Sequence, residues 1–235
     1  MVEVRPIQAL IFDAAGTLIE TREPVGEVYA REARSFGVEL PASRIEEAFG
    51  RILAAAPPPA WPGTSLREAA QAERRWWWQR VRETFRAADG SVHFDDFDGF
   101  FDRLFEYYAH AAAWRLRPGT REALEALRRD GLQLAVLSNF DQRLRPLLRE
   151  LGIHGCFDAV TLPADAGAAK PARQIFDVCL KRLGVANHRC VYVGDHAVQD
   201  LASSKAAGLH PVDVTGLATL GELPARVAQL EESLA

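Results

Sequence analysis

The sequence of 235 residues predicts an α/β protein in which a doubly wound parallel sheet carries an inserted all-helical unit. Residues 132–137 and 191–193 form almost wholly apolar runs, which are typical of parallel strands covered on both faces. Segments with helical periodicity separate the strand candidates in the second half of the chain. Between about residues 20 and 115 the pattern changes, because helical segments follow one another without a good strand candidate between them.

The strand candidates are short, and predicted helices separate them. The first strand, at residues 8–12, ends at Asp13, and a Gly-Thr turn follows soon after. The other predicted strands are residues 132–137, 159–162, 191–193 and 211–214. The predicted connecting helices are residues 120–129, 171–183 and 197–207. This alternation of strand and helix favours a doubly wound parallel sheet.

The segment 120–129 carries clear helix signals. Thr120 is predicted to be the N-cap, because its hydroxyl can accept a hydrogen bond from a free backbone N–H of the first turn. Leu124 and Leu127 fall on one face of the helix, and Gly131 follows its end. The pattern therefore predicts an amphipathic helix packed against the sheet.

The helical insertion is predicted to be a cap over the sheet. Its helices are predicted at residues 25–36, 43–53, 65–87 and 94–112. Residues 54–64 contain three consecutive prolines and form a stiff break between two of these helices. Because the insertion follows the strand that ends at Asp13, we expect it to cover the strand ends; the alternative is a separate all-α domain without a role in the site. The predicted domains are a core of residues 1–20 and 115–235 and a cap of residues 21–114.

Composition excludes several classes of partner. Hydrophobic residues make up 48% and charged residues 26%, and the net charge of -4 leaves no basic footprint for nucleic acid. No apolar run reaches the ~20 residues of a membrane-spanning helix, and no cleavable signal segment is recognised. The three cysteines, Cys156, Cys179 and Cys190, have no metal-binding spacing and are typical of a reducing compartment. We therefore expect a cytoplasmic protein without nucleic-acid or membrane partners; the oligomeric state is not predicted.

Four short motifs place polar side chains at the ends of strands and loops. They are Asp13-Ala14-Ala15-Gly16-Thr17, Ser138-Asn139, Lys170-Pro171, and the run from Gly194-Asp195-His196 to Asp200. Three of the four follow predicted strands of one parallel sheet. Because ligands of open α/β sheets bind outside the carboxyl ends of the strands, these motifs are expected to converge.

These motifs, in this order, resemble those of the haloacid dehalogenase superfamily, and the likeness runs over the whole chain. The size and position of the insertion resemble the helical-cap subclass, whose core is a Rossmann-like sheet. The resemblance implies that Asp13 is a nucleophile. It also implies a Mg²⁺ cofactor held by Asp13, the backbone carbonyl of Ala15 and Asp195, with Asp200 as a further or outer ligand.

The resemblance assigns the remaining polar residues to the transferring phosphoryl group. Ser138 and Asn139 would donate hydrogen bonds to its oxygens, and Thr17 would help to hold it. Lys170 would balance charge beside Asp13 and the phosphoryl group. The expected partner is therefore a small phosphorylated substrate, whose identity the sequence does not reveal.

Ala15 departs from the phosphatase pattern of the superfamily, which has an aspartate two residues after the nucleophile. That aspartate protonates the leaving alkoxide and then activates water, and an alanine does neither. General acid–base assistance contributes about 10²–10⁴-fold in rate, or roughly 3–5 kcal/mol of barrier. A phosphatase with Ala15 is therefore expected to be slow unless another group replaces the acid.

Three alternatives follow from Ala15. The 2-haloacid dehalogenases have a similar Asp-x-x-Gly-Thr-Leu motif and release halide without a proton, but Asp195 and Asp200 favour a metal site instead. Phosphonoacetaldehyde hydrolases have alanine here but need a cap lysine, whereas the first lysine of this chain is Lys170. A ligand-binding or regulatory protein is the third. The favoured prediction is a weak Mg²⁺-dependent phosphatase that forms an aspartyl-phosphate.

Two further features are left open by the sequence. His196 follows Asp195 and could orient water or transfer a proton, or simply fill a small polar position. Trp76, Trp77 and Trp78 are consecutive and cannot share one helix face. They are expected to pack in the cap, and the alternative is that they line the substrate pocket.

Overall fold

The computed structural model of the chain describes residues 5–234. Its central sheet has five parallel strands in the order β5-β4-β1-β6-β7. These strands are β1 (Ala9–Phe12), β4 (Gln133–Leu137), β5 (Ala159–Thr161), β6 (Cys190–Gly194) and β7 (His210–Asp213). The predicted doubly wound parallel sheet is confirmed, and the predicted strand ends differ by at most one residue.

Strand β1 lies in the middle of the sheet because all of its side chains are apolar. Every residue of β1 is buried, and Phe12 pairs with Val136 of β4 on one side and Val193 of β6 on the other. Alternate residues face opposite layers: Leu10 and Phe12 belong to one apolar cluster, and Ile11 belongs to the other. The central strand therefore ends between two neighbours whose carboxyl ends lie beside its own.

Helices cover both faces of this sheet. They are α5 (Thr120–Arg129), α6 (Leu144–Glu150), α7 (Pro163–Ala166), α8 (Arg173–Leu183), α9 (Ser203–Ala206) and α10 (Leu223–Leu234). The face that contains Leu10 and Phe12 packs against side chains of α5, α6 and α10, and the other face packs against α8. Helices α6, α7 and α10 were not predicted from the sequence.

The prediction that Thr120 is the N-cap of α5 is wrong. Gly119, with φ of 79°, precedes the helix, and Thr120 is its first residue. The buried hydroxyl of Thr120 donates to the carbonyl of Leu18 at 3.1 Å. The predicted apolar face is confirmed, since Leu124 and Leu127 are buried.

The insertion consists of four helices: α1 (Val25–Arg34), α2 (Ala42–Ala55), α3 (Leu66–Ala88) and α4 (Phe97–Tyr107). Helix α3 begins at a capping box in which Ser65 and Glu68 bond each other's backbone N–H. The four helices enclose a separate aromatic core, in which the ring of Phe85 lies 5.1 Å from that of Phe100 and 6.2 Å from that of Tyr29.

The chain enters and leaves the insertion through two short strands that the sequence did not predict. Strand β2 (Ile19–Thr21) pairs antiparallel with β3 (Trp114–Leu116), and Glu20 and Arg115 form an ion pair at 2.7 Å between them. Three-residue strands carry no periodicity signal. Strands β2 and β3 lie close to the boundaries predicted for the cap at residues 21–114. The division into a core and a cap domain stays a prediction. Residues 1–4 and 235, which that prediction places in the core, lie outside the described residues.

Two predictions drawn from composition can be compared with the described part of the chain. Within residues 5–234, no helix is both long and apolar enough to cross a membrane. Cys156, Cys179 and Cys190 are free thiols, and the last two are buried. Cys179 and Cys190 therefore pack in the core as small apolar side chains.

Candidate active site

Asp13 and Lys170 form a buried ion pair at the carboxyl end of the central strand. Asp13 follows β1 directly and is 7% exposed, while Lys170 is 2% exposed. The Lys170 Nζ donates to Asp13 Oδ1 at 2.7 Å, to the Tyr192 hydroxyl at 2.9 Å and to Asp200 Oδ1. Two residues separated by 157 positions are therefore joined in one charged cluster.

Burial and charge act in opposite directions on this pair. Burial raises the pKa of the Asp13 carboxyl above its ordinary value, although the Lys170 ammonium opposes the shift. Burial disfavours the ammonium of Lys170, but the carboxylates of Asp13 and Asp200 prevail and raise the pKa of that lysine. The ammonium is therefore retained in the buried site.

Asp200 uses both carboxylate oxygens within the protein. Its Oδ1 accepts from Lys170 and from the Tyr192 hydroxyl, the latter at 3.1 Å. Its Oδ2 accepts from the backbone N–H of Asp195 at 3.3 Å and of His196 at 3.0 Å. A Cβ at Gly194 would overlap the Asp200 side chain, so glycine permits this close approach. Asp200 thus orders the loop that carries Asp195, which suits an outer rather than a direct ligand of a metal ion.

Asp195 and the turn after Asp13 hold each other in place. The buried Thr17 hydroxyl donates to Asp195 Oδ1 at 2.9 Å. Gly16 has φ of 85°, and a Cβ there would overlap the Asp195 carboxylate. Thr17 thus differs from its expected place at a phosphoryl group, because its hydroxyl bonds Asp195 and it does not line the cavity described below.

Three carboxylates converge where the sequence predicted a metal. Oxygens of Asp13, Asp195 and Asp200 all lie within 4.8 Å of one another. One ammonium, that of Lys170, faces them, so three negative charges meet one positive charge. The Ala15 carbonyl accepts no hydrogen bond from the described residues. Hard oxygen donors and an excess of negative charge suit a divalent cation such as Mg²⁺, and Asp13, Asp195 and the Ala15 carbonyl retain free oxygen lone pairs for it.

Ser138 and Asn139 lie at the end of β4, as expected, and both line the same cavity as Asp13. The side chain of Asn139 is occupied with the lysine loop: its Oδ1 accepts from the Lys170 N–H at 2.7 Å, and its Nδ2 donates to the Lys170 carbonyl at 3.0 Å. Asn139 therefore fixes the position of Lys170. Ser138 is buried, and its hydroxyl accepts from the Phe140 N–H at 3.3 Å.

His196 lines the cavity but its ring is used as a cap. Its Nδ1 accepts from the backbone N–H of Val198 at 3.2 Å and of Gln199 at 3.1 Å, at the start of the π-helical turn Ala197–Ala202. An Nδ1 that accepts these bonds carries no proton. The ring in this arrangement can donate a hydrogen bond from Nε2.

A single cavity of about 710 Å³ connects the charged cluster with the helical insertion. Its floor contains Asp13, Ser138, Lys170 and Asp195, and exposed Ala15 also faces it. The side chains from the insertion are mostly aromatic and aliphatic. The tryptophan run is divided: Trp76 and Trp77 line the cavity, whereas Trp78 packs against Phe97, with ring centroids 5.3 Å apart.

Four residues, here termed the cap–core bridge, join the insertion to the core: Glu73, Trp77, Asp141 and Arg143. Only Trp77 was singled out from the sequence. Trp77 Nε1 donates to Asp141 Oδ2 at 2.8 Å, and Arg143 Nη2 donates to the same oxygen at 2.6 Å. Arg143 Nη1 also donates to the Phe105 carbonyl at 2.7 Å. For Asp141 and Arg143 the available signal was the polar run Asp141-Gln142-Arg143, which follows Phe140 shortly after Ser138-Asn139.

Glu73 is the unusual member of the cap–core bridge. It is 4% exposed; its Oε2 accepts from the Gln142 N–H at 3.2 Å, and its buried Oε1 has no partner among the described residues. Burial and the neighbouring Asp141 carboxylate raise the pKa of Glu73 to about 7. Tyr192, another residue that the sequence did not reveal, links Lys170 to Asp200 from within an apolar strand.

Comparisons with known proteins agree on one family. A family model described as haloacid dehalogenase-like hydrolase matches residues 7–208. The chain is similar to haloacid dehalogenase-like hydrolase domain-containing protein 3 of Xenopus laevis, with 34% identity over 87% of this chain and 82% of that protein. The Mus musculus protein of the same name is 35% identical over 89% of this chain and 82% of its own length.

Solved structures share the fold. A predicted phosphoglycolate phosphatase from Haemophilus somnus 129pt has a TM-score of 0.68 at 18% identity, covering 94% of this chain and 98% of that one. A 2-haloacid dehalogenase from Pseudomonas syringae pv. Tomato DC3000 has a TM-score of 0.62 at 22% identity, covering 95% and 99%. At these identities the likeness establishes the architecture and leaves the reaction to the site.

Proposed function

This chain belongs to the haloacid dehalogenase-like hydrolase family, and from that premise we propose that it is a Mg²⁺-dependent phosphohydrolase acting through an aspartyl-phosphate on Asp13. The observation that carries the proposal is the convergence of three carboxylates within 4.8 Å around a buried nucleophile that is paired with Lys170. We also propose a small phosphorylated metabolite as substrate and a cytoplasmic setting, for which the free thiols give support.

Each residue of the cluster has a distinct task in this proposal. The free oxygen of Asp13 attacks phosphorus, while Lys170 holds the other oxygen and offsets charge on the phosphoryl group. Asp195 and the Ala15 carbonyl join Asp13 as metal ligands, and Asp200 keeps Asp195 and Lys170 in place. Ser138 lines the cavity beside Asp13 and donates its hydroxyl to the phosphoryl oxygens. A Mg²⁺ ion held by these residues would supply positive charge to offset that of the phosphoryl group.

The charges of the cavity weigh against a 2-haloacid dehalogenase. Asp13, Asp195 and Asp200 share one ammonium, that of Lys170, so the cluster carries an excess of negative charge. Without a metal ion this charge would repel an anionic haloacid and oppose ionisation of the Asp13 nucleophile.

Ala15 supports a second candidate, a ligand-binding protein with little turnover. Its methyl group faces the cavity at the place where a general acid would stand. Such a protein would bind a phosphorylated ligand with the same residues. The two candidates differ only in whether the phosphoryl bond is broken.

The test measures phosphate release from acetyl phosphate and 4-nitrophenyl phosphate, whose leaving groups depend least on an acid. We expect turnover with Mg²⁺, none with a chelator, and a loss of at least about 10³-fold in Asp13→Asn. The matched control is Asp177→Asn, an exposed aspartate on α8, which should retain turnover. Borohydride reduction during turnover should convert Asp13 to homoserine, which mass spectrometry detects.

Two results would contradict the proposal. Failure of both phosphates in the presence of Mg²⁺ would leave the ligand-binding candidate, which thermal stabilisation by a phosphorylated ligand without turnover would support. Chloride release from 2-chloropropionate in the presence of chelator would establish the dehalogenase instead.

A further inference from the structure

We propose that the substrate is an aryl phosphate whose aromatic body carries no second charge. This inference rests on the proposed phosphohydrolase function. Two independent features of the cavity support it: the apolar character of the wall that meets the leaving group, and the methyl group of Ala15 where an acid would otherwise assist departure.

The wall contributed by the insertion is apolar. Its side chains come from α1, α2, α3 and α4 and include Phe49, Leu53, Trp76, Val81, Phe101 and Leu104. Phe101, Leu104 and Val81 are buried at the back of the wall, while Phe49 and Trp76 are half-buried. Ligand pockets lined in this way gain affinity chiefly by burying apolar surface, at about 25 cal/mol per Å².

Several polar atoms of this wall are already occupied or closed off. Trp76 Nε1 donates to the Pro57 carbonyl at 3.2 Å, and Trp77 Nε1 donates to Asp141 at 2.8 Å. The Tyr108 hydroxyl and Glu73 Oε1 have almost no exposure to solvent. A sugar or a polyol would therefore lose its hydrogen bonds to water here and find few replacements.

A second anionic group on the substrate would also lack a partner. Glu73 is the charged residue that the insertion contributes to the wall, and it repels anions when ionised. Arg143 is held by Asp141 and by the Phe105 carbonyl. Burying a second phosphate or a carboxylate of the substrate without a free cationic side chain is unfavourable. The part of the substrate that contacts this wall is therefore neutral.

Ala15 sets the chemistry of the leaving group. The Asp13 carboxylate forms the new O–P bond as the bond from phosphorus to the aryl oxygen breaks, and the electron pair departs on that oxygen as a phenolate. A phenol has a pKa near ~10, like tyrosine, so the phenolate leaves without an acid and takes its proton from water. Water then attacks the aspartyl-phosphate, releasing inorganic phosphate and restoring the Asp13 carboxylate. An alkoxide, which is far more basic, needs the missing acid.

The test compares phosphate esters whose phenols have similar acidity but different bodies. Phenyl, 2-naphthyl and 4-carboxyphenyl phosphate are compared by kcat/KM with Mg²⁺, beside acetyl phosphate, which has no ring. We expect 2-naphthyl phosphate to exceed phenyl phosphate by about tenfold, because one more apolar ring is buried. We expect 4-carboxyphenyl phosphate to fall at least about tenfold below phenyl phosphate, because its carboxylate has no cation.

A matched pair of variants tests the wall directly. Leu53 is 39% exposed at the cavity, and Leu66 is 56% exposed on α3 outside it, so arginine at either position is compatible with folding. Leu53→Arg should raise the preference for 4-carboxyphenyl over 2-naphthyl phosphate by about tenfold or more. Leu66→Arg should leave that ratio unchanged.

The outcomes separate this inference from the function on which it rests. Turnover of acetyl phosphate without a preference for the larger ring, or with a preference for the carboxylate, would overturn the aryl-phosphate inference alone. Equal ratios in the two arginine variants would also overturn it. Failure to hydrolyse acetyl phosphate with Mg²⁺ would overturn the proposed function and the inference together.

Discussion

The two walls of the cavity are built on opposite physical principles. The core wall holds three aspartates and Lys170 in one hydrogen-bonded network, in which Asp13 and Asp195 retain oxygen lone pairs for a cation. The cap wall is aromatic and aliphatic, and the indole N–H groups of Trp76 and Trp77 are bonded within the protein. Charge fixed by hydrogen bonds orients a reacting group, whereas apolar surface accepts any body of suitable size. The chemistry and the choice of substrate are therefore carried by different parts of the chain.

Replacing Lys170 should disrupt the charged cluster on the core side of the cavity. Lys170→Met leaves Asp13 and Asp200 buried without the ammonium that bridges them. We expect a loss of about 3–5 kcal/mol in the free energy of unfolding and no measurable phosphatase activity. Urea unfolding measures the first and phosphate release the second. The control, Lys181→Met, changes an exposed lysine on α8 and should alter neither.

Placing a general acid at position 15 should speed the departure of basic leaving groups. Ala15→Asp places a carboxyl at an exposed position that faces the cavity. We expect kcat/KM for an alkyl phosphate to rise by about 10–100-fold, with a much smaller gain for an aryl phosphate. Ala15→Asn is the control, since it has similar size but cannot transfer a proton. An equal gain in both variants would show that the effect is not acid catalysis.

Glu73 is the one charged residue that the insertion adds to the cavity wall. Its protonation should make the free energy of unfolding depend on pH. Its folded-state pKa of about 7 lies above the ordinary value of 4.5, so the folded protein holds this proton more tightly than the unfolded chain. Its contribution to stability therefore declines as pH rises from about 4.5 to 7. We expect Glu73→Gln to be more stable than the native protein by about 1–3 kcal/mol at pH 8 and nearly equal at pH 4.5.

Urea unfolding at the two pH values measures this difference. The control is Glu47→Gln on α2, whose side chain is 72% exposed and which should show no comparable pH dependence. An advantage of Glu73→Gln that is the same at both pH values would mean that packing, rather than the charge, determines its effect.

The smallest expected effect concerns the hydrogen bond from Trp77 of the insertion to Asp141 of the core. Trp77→Phe removes the hydrogen bond to Asp141 but keeps most of the ring. We expect a loss of about 1–2 kcal/mol in the free energy of unfolding, because a buried acceptor loses a donor. Trp78→Phe removes a similar bond to Asp98 at the surface and should cost less than about 0.5 kcal/mol. Equal losses would show that the cap–core bridge does not stabilise the folded chain.

The core wall was largely predictable from the sequence. Parallel strands covered on both faces are nearly continuous apolar runs, so the polar residue that ends each run is conspicuous, as Asp13, Ser138 and Asp195 are. The parallel sheet then brings these ends to one edge. The short strands β2 and β3 were not predictable, because three residues show no period and pair only with a segment almost a hundred positions away.

The sequence by itself determined the sheet, the helical insertion and the polar residues at the strand ends, because these follow from local periodicity and from where apolar runs stop. Only the tertiary structure decided which partners those residues take. It turned Thr17 towards Asp195, used both oxygens of Asp200 within the protein, and joined Trp77 to Asp141 across 64 positions. Such pairings depend on distances between remote segments, and packing sets those distances rather than local pattern.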